Sequence, residues 1–440
     1  MVANLADKTS GIDYSALIKN DRVHGKLYYD EDIFQEELEK IWYKQWVYIG
    51  HDSEVPNVGD YVTTFIGKQP IIIVRDSNQQ VQVFLNRCRH RSNTICEQLK
   101  GNVGGFVCAY HGWTYNLEGE LKALPLAEGF GDNFNMADFS LVKVPRLGNH
   151  RGFLFASLAE QGKSLEAHMG IASENIDRFC DTSPSGKIAV SAGIWKMKIK
   201  ANWKMWIENS VDLYHAISTH ASNAYMAQMM GEKSPTLANK MPASIGHFDK
   251  VVLRDLGNGH VEADMRPLRR ETGMTYTGDW SDGVPEAAQN AFIEKMEAFH
   301  GKQKADDIAI DGPPHTVMFP NLFFMLQDIR WAVPVSVDET WLYYAPTMLV
   351  DAPDEINTMR LRRDEGAYGP AGFQLSDDLE VWERNYRGIA TRKNEWIMMG
   401  RGADMPIITD NDGRPTQADY SEHSIRSQWQ HYLKVMQGGS

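Results

Sequence analysis

Cys88-Arg-His90 and Cys108-Ala-Tyr-His111, separated by seventeen residues, present two thiolates and two imidazoles from two short loops. Two thiolates on one iron and two neutral histidines on the other form the ligand set of a Rieske [2Fe–2S] centre, whose imidazoles raise its potential above that of an all-cysteine cluster. The chemistry is single-electron transfer. Two Cys and two His can also close a structural zinc shell. Finger-type zinc sites run Cys, Cys, His, His, whereas each loop here carries one of each and can bridge both irons, so the order favours the cluster. Gly104-Gly105 permits a tight turn before the second loop, and Gly112 follows its last ligand. Cys96, between the loops, reads as a small packed residue rather than a third ligand.

A second set of ligand types lies downstream in Glu208-Asn209, Asp212, Tyr214-His215 and His220. Asp212 and His215 are three apart and share a helix face. His220, five beyond His215, falls about 140° away on a regular helix. Both histidines reach one metal only if the helix ends or distorts near Ser218-Thr219. Far along the chain, Tyr368-Gly-Pro-Ala-Gly372 leads into Ser376-Asp377-Asp378 at the start of a helical stretch. Two histidines and one carboxylate on one face of an iron make the triad of non-haem Fe(II) oxygenases, which leaves positions open for O₂. Taken alone, Asp377-Asp378 would be an acid pair favoured by the helix dipole. Beside a one-electron cluster, the triad is the coherent reading.

These groups need scaffolds. Residues 58–158 contain β-branched and aromatic runs at 60–65, 70–74, 81–85, 105–107 and 152–156, punctuated by Gly, Pro, Asp and Asn, which predict a small antiparallel β domain with the cluster at its loop tips. Glu31 to Trp42 has apolar residues at helical spacing with acids in the first turn, a leading helix. The remainder mixes helical stretches near 204–220, 285–300, 375–390 and 422–436 with strand-like runs at 251–253 and 341–350; Asp351-Ala-Pro-Asp354 and 410–415 read as turns. The fold class is α+β. The expected division is 45–160 for a Rieske domain, with 1–44 and 161–440 forming a catalytic domain that has a central antiparallel sheet covered by helices.

At 440 residues with 42% hydrophobic content, the chain is long enough for two to three globular domains. A net charge of −13 disfavours nucleic acid as a partner. No apolar run approaches a membrane span, and the start lacks the basic and apolar regions of a signal peptide. With only four cysteines, two of them in the cluster motif, the expectation is a cytoplasmic protein without a disulfide framework.

From about residue 25 to 437 the chain resembles the large (alpha) subunit of Rieske non-haem iron aromatic ring-hydroxylating oxygenases. The resemblance is carried by Gly50-His-Asp-Ser-Glu-Val-Pro, Asn86-Arg-Cys-Arg-His-Arg91, Cys108-Ala-Tyr-His-Gly-Trp113, Asn202-Trp-Lys, the Asp212 to His220 segment, Phe319-Pro-Asn-Leu322, and Gly369-Pro-Ala-Gly with Asp377-Asp378. It implies that His215, His220 and Asp378 hold Fe(II), with Asp377 as the fallback ligand. It also implies that Asp212 bridges His215 to a Rieske histidine, His111 by analogy, of a neighbouring subunit. A trimer of alpha subunits follows, with room for a small beta subunit in an α3β3 assembly. Naphthalene-type members carry an asparagine four residues before the bridging aspartate; here that position is Glu208 and Asn209 stands three before, which leaves a role for Asn209 unassigned.

Residues flanking the iron ligands, Met205, Val211, Ala216 and Tyr368, are candidates for the wall of an apolar substrate pocket, the first three equally readable as core. A carboxylated ring would need a cation, for which Arg330, Arg387, Arg392 and Lys393 are candidates. Arg330 could instead be a structural ion-pair residue. The overall pattern resembles relatives acting on benzoate-, salicylate-, anthranilate- or aniline-like compounds more than it does the naphthalene group. No dinucleotide fingerprint or plant-type cysteine run is present, so electrons from NADH must arrive through a separate reductase, with or without a ferredoxin. Arg87, Arg89 and Arg91 could form its docking patch or pair locally. The expected reaction is cis-dihydroxylation of a substituted aromatic with O₂. Monohydroxylation or demethylation is the nearest alternative, and a non-catalytic Rieske electron carrier is the rival from another class.

Overall fold

The structure is a computed structural model that describes residues 11–222, 225, 229, 250–372, 374–418 and 421–439. Helix α1 (Glu31–Glu37) starts at Asp30, whose carboxylate accepts from the Ile33 N–H, and the chain continues as a π-helical turn through Trp42. It leads into three small antiparallel sheets. Strands β1 (Val47–His51), β2 (Asp60–Ile66), β3 (Gln69–Arg75), β4 (Val81–Leu85) and β5 (Lys100–Asn102) come first. After them run β6 (Phe106–Val107), β7 (Thr114–Tyr115), β8 (Leu121–Ala123), β9 (Arg146–His150) and β10 (Phe153–Ser157). The pairing orders are β4-β3-β2-β5, β6-β7-β8 and β9-β10-β1. Ile71 to Val74 are all buried, because β3 is central in its sheet and covered on both faces.

The second region is built on a nine-stranded antiparallel sheet. Its strands are β11 (Trp195–Ile199), β12 (Val252–Gly257), β13 (His260–Asp264), β14 (His315–Met318), β15 (Leu322–Met325), β16 (Asp328–Ser336), β17 (Glu339–Pro346), β18 (Ile408–Thr409) and β19 (Pro415–Ala418), in the order β11-β17-β16-β15-β14-β13-β12-β19-β18. Helices α2 (Trp203–Asn209), α3 (Ala216–Thr219), α7 (Leu375–Ile389) and α8 (His423–Met436) lie with the core that contains Phe323 and Tyr344. Helices α4 (Glu286–His300), α5 (Lys302–Asp311) and α6 (Asp354–Tyr368) flank the core that contains Phe324, Trp331 and Ile356. Neighbouring strand residues thus serve opposite faces, as the period-2 pleat requires.

The α+β class, the antiparallel β region around the cluster motif and the central antiparallel sheet under helices are as read from the sequence. Three expectations need correction. The helix expected over 204–220 is two short helices, because Asp212 caps a new turn through the N–H groups of Tyr214 and His215. The strand run 341–350 divides at Thr347, whose N–H and hydroxyl both bond to the Gln327 carbonyl. The turn at Asp351-Ala-Pro-Asp354 opens a fifteen-residue helix, α6, that sequence reading missed. Its inward side holds Asn357, Arg360 and Asp364 beside Ile356, so no apolar stripe marks it. No helix among the described residues is long and apolar enough to cross a membrane.

Candidate metal centres and their family

The first ligand loop hangs from β4 and is clamped by Asn86. Its amide oxygen accepts from the N–H of Ile95 (3.0 Å) and Cys96 (2.9 Å), while its amide nitrogen donates to the Cys96 carbonyl (2.7 Å). Cys88 and Cys108 each sit in a tight turn closed by backbone bonds, Cys88 N to Asn93 O and Cys108 N to Trp113 O, both 2.8 Å. At Gly112 φ is +69° and an added Cβ would lie 3.0 Å from Pro125, so the residue after His111 must lack a side chain. The rings of His90 and His111 are 4.5 Å apart, and Trp113 stacks on His90 at 4.9 Å.

The surroundings fit a cluster. Tyr115 hydroxyl accepts from the Arg89 N–H (3.2 Å), which leaves its proton for Cys88 Sγ at 3.3 Å; Asn93 donates to Cys108 Sγ at 3.7 Å. Each sulfur thus faces a hydrogen-bond donor, as a cluster ligand does. Burial, helped by His111, lowers the pKa of His90 and so favours the neutral, ligating imidazole. Its Nδ1 is buried without a partner. Cys96 packs against the apolar cluster below the loops, and burial pushes its thiol up to about 11.

His215, His220 and Asp378 converge at the second centre. Asp378 Oδ1 lies 3.5 Å from His215 Nε2 and 3.4 Å from His220 Nε2, and one ligand atom from each residue falls within 4.8 Å of the others. Two donors bonded at about 2.1 Å and roughly 90–110° apart are separated by about 3.0–3.4 Å, so the spacing suits ligands of one ion. Asp378 Oδ1 is buried and has no hydrogen-bond donor among the described residues. Burial raises the Asp378 carboxyl, against the pull of His215 and His220. A bound cation would reverse that shift.

Local structure brings the three together. Helix α2 is capped by Asn202 and ends at Ser210; α3 ends at Thr219, with His220 as its C-cap, which swings that imidazole toward Asp378. The required distortion near Ser218-Thr219 is present. The Gly369-Pro-Ala-Gly turn then delivers the first turn of α7; at Gly372 a Cβ would meet the Ala367 backbone at 2.6 Å. Asp212 Oδ2 lies 3.3 Å from His215 Nδ1, the ring nitrogen facing away from Asp378. Burial opposes the charged form of His215, but Asp212 and Asp378 outweigh it and raise its pKa. Asp377 is off the convergence point, accepting from Ser222 (2.9 Å) and lying 3.8 Å from His220 Nδ1.

Asn209, without an assigned role from spacing, reaches 3.5 Å from His215 Nε2. The short α2–α3 turn moves it inward, while Glu208 points to Tyr28 and Trp429 on the other side. Met205 and Val211 pack in the main core, Ala216 against Val251, Leu253, Ala263 and Leu268, and Tyr368 beside Tyr344. Arg87 donates to Ser92 and Arg89 to the Asp138 carbonyl, while Arg91 lies over the Tyr110 ring; among the described residues none of the three pairs with a carboxylate.

Residues 45–141 match the Rieske [2Fe-2S] domain model, and residues 189–438 match that of the ring hydroxylating alpha subunit (catalytic domain). The chain belongs to the Rieske ring-hydroxylating dioxygenase alpha subunits. Its cofactors are those of the family, a Rieske [2Fe–2S] cluster and a mononuclear iron. It is 30% identical to the benzene 1,2-dioxygenase alpha subunit of Pseudomonas putida, over 98% of this chain and 94% of that one. It is also 30% identical to the 2-halobenzoate 1,2-dioxygenase large subunit of Burkholderia cepacia, over 90% and 85%. A naphthalene 1,2-dioxygenase variant bound to phenanthrene superimposes with a TM-score of 0.82 at 25% identity, covering 98% of this chain and 96% of that one.

Proposed function

We propose that this alpha subunit catalyses cis-dihydroxylation of a substituted aromatic, carboxylated or amino, with its iron held by His215, His220 and Asp378 and its cluster by Cys88, His90, Cys108 and His111. The observation that carries the reading is the meeting of both imidazole Nε2 atoms at one orphaned carboxylate oxygen. When bound, the cluster supplies single electrons and the ferrous ion supplies open positions for dioxygen.

The chain's own residues do the rest. Asp212 holds His215 by its Nδ1 side, fixing ring orientation and leaving Nε2 as the ligand atom. Asn209 offers an amide to His215 from α2. Met205, Val211, Ala216 and Tyr368 flank the ligands with apolar and aromatic surface, which excludes water from a flat ring. In this reading residues 45–160 carry the cluster, and 1–44 with 161–440 carry the iron.

His90 and His111 are half-buried, ringed by exposed Val107, Tyr110, Leu126 and Phe130. That apolar rim supports docking against the Asp212 face of a neighbouring subunit in a homotrimer, with a small beta subunit completing α3β3. Electrons come from NADH by way of a cytoplasmic reductase, directly or through a ferredoxin, at the Arg87-Arg89-Arg91 edge. Turnover under ¹⁸O₂ tests the reaction. Both product oxygens are expected to carry label; one labelled atom would make the enzyme a monooxygenase, and a chain with about two irons rather than three would be an electron carrier.

A further inference from the structure

We propose that Arg330 selects the substrate, its unpaired guanidinium edge receiving a carboxylate carried on the aromatic ring. The inference rests on the reading above and narrows it from substituted aromatics to anionic ones.

Of the four cations nominated by sequence, three lie elsewhere. Arg387 is exposed and reaches Glu380 and Glu383, Arg392 lies over the Tyr29 ring, and Lys393 is exposed. Arg330 is 5% exposed and stands on β16 in register with Phe323 of β15 and Tyr344 of β17. Those partners belong to the core that holds α2 and α7, the helices of Asn209 and Asp378. Tyr368, whose ring Arg330 faces, opens the Gly369-Pro-Ala-Gly turn that leads to Asp378. The Arg330 Cζ is 4.2 Å from the centroid of Tyr368, 4.7 Å from Tyr344 and 5.3 Å from Phe323. Tyr368 is the candidate pocket aromatic.

A guanidinium has five N–H donors. Nε and Nη2 donate to Asp328 at 2.8 and 3.2 Å, whereas Nη1 has no hydrogen-bond partner among the described residues. A structural ion pair explains only the first edge. The guanidinium as a whole stands among Phe323, Tyr344 and Tyr368, and Nη1 is the donor left over for an incoming group. An incoming carboxylate meets it, with the ring beside Tyr368.

The charged neighbours agree. Arg360, 1% exposed, donates from Nη1 to the Thr347 carbonyl and leaves Nε and Nη2 without partners. Asp364 accepts from the Tyr344 hydroxyl (2.8 Å), and burial with the Asp328 charge beside it pushes its carboxyl up to about 8, so it is mostly protonated at neutral pH. Burial keeps His315 neutral, with its pKa down at about 3. Asp328, already paired with Arg330, therefore stands between two guanidiniums, Arg330 and Arg360.

Equilibrium dialysis of the iron-loaded, cluster-containing protein with labelled benzoate and labelled toluene, similar rings that differ in charge, tests this directly. Benzoate is expected to bind the wild type more tightly. Arg330→Gln should weaken benzoate by about 10–100-fold while moving toluene less than about twofold, and Arg330→Lys should recover part of the loss. Because Arg330→Gln strands Asp328, an Asp328→Asn/Arg330→Gln double variant is made alongside it. Whichever retains the cluster absorbance and thermal midpoint decides. An unchanged benzoate-to-toluene ratio in that variant, a wild-type preference for toluene, or no measurable benzoate binding to the wild type would overturn the proposal. Failure of the iron assignment reads out separately, as unchanged iron content in His215→Ala.

Discussion

At the residue scale, His215 and Asp212 have separable jobs. His215→Ala is expected to drop iron from about three to about two per chain and abolish product, with the cluster spectrum retained; elemental analysis and product assay check it. Asp212→Ala removes the group behind the ligand. Loss of such a partner costs about 10–100-fold in activity or metal affinity, so coupled turnover should fall by that order. Full turnover with both metals present would sink the bridging role. Glu208, which diverges from the naphthalene-type spacing, accepts from Tyr28 at 2.6 Å and Trp429 at 3.0 Å, and burial pushes its carboxyl up to about 7. A carboxyl raised in the folded state binds a proton that the unfolded chain has released. Its contribution to stability is therefore lost as pH rises from the unfolded value through about 7. Glu208→Gln cannot ionise, so relative to wild type it should stabilise the fold more at pH 8 than at pH 5, by at most about 3 kcal/mol at the higher pH, read from thermal midpoints at the two pH values. Equal shifts at both pH values would mean that Glu208 does not titrate in this range.

At the element scale, the decisive features are a break and two turns. A continuous helix over 204–220 would set His215 and His220 on different faces; the cap at Asp212 and the stop at Thr219 remove that conflict. Such a break is hard to read in advance, because Asp212 looks the same in sequence as a helix-surface acid. Helix α6 was missed for a related reason: the residues it buries are polar, and their partners lie in the β15–β16 turn, on β17 and in the segment after β17. The cluster turns, by contrast, are short and rich in glycine. Gly112→Ala should destabilise the second loop by about 1–2 kcal/mol, since φ there is +69°. Differential scanning of the variant should show a lower midpoint together with earlier bleaching of the visible bands.

At the scale of the whole molecule, three arginines gather at one loop of an acidic protein. Net charge is −13, yet Arg87, Arg89 and Arg91 stand exposed around the first ligand loop, bonded to a hydroxyl, a carbonyl and a ring. A local positive patch on an acidic protein steers an acidic redox partner, and salt screens the attraction over about 8–10 Å. Reductase-coupled rates should fall steeply between low and physiological ionic strength, and Arg→Gln changes at these positions should flatten the dependence. A rate indifferent to salt would end the docking role. Long-range contacts also bind the first helix to the last: Glu37 accepts from Trp203, Lys204 and Tyr432, a buried network spanning nearly the whole chain.

The sequence alone determined the ligand types, because Cys-x-His, Cys-x-x-His and the two downstream histidines are local facts of spacing. It also bounded the electron supply, since a flavin or second cluster would need motifs that are missing. Spacing left Asp377 and Asp378 open and the family resemblance pointed to Asp378; tertiary structure brings Asp378 to both histidines, places Asn209 beside His215, and decides which of four cations lies buried beside Tyr368. Those outcomes depend on the distances and desolvation created when remote strands and helices pack, and neither quantity is encoded in the spacing of neighbours along the chain.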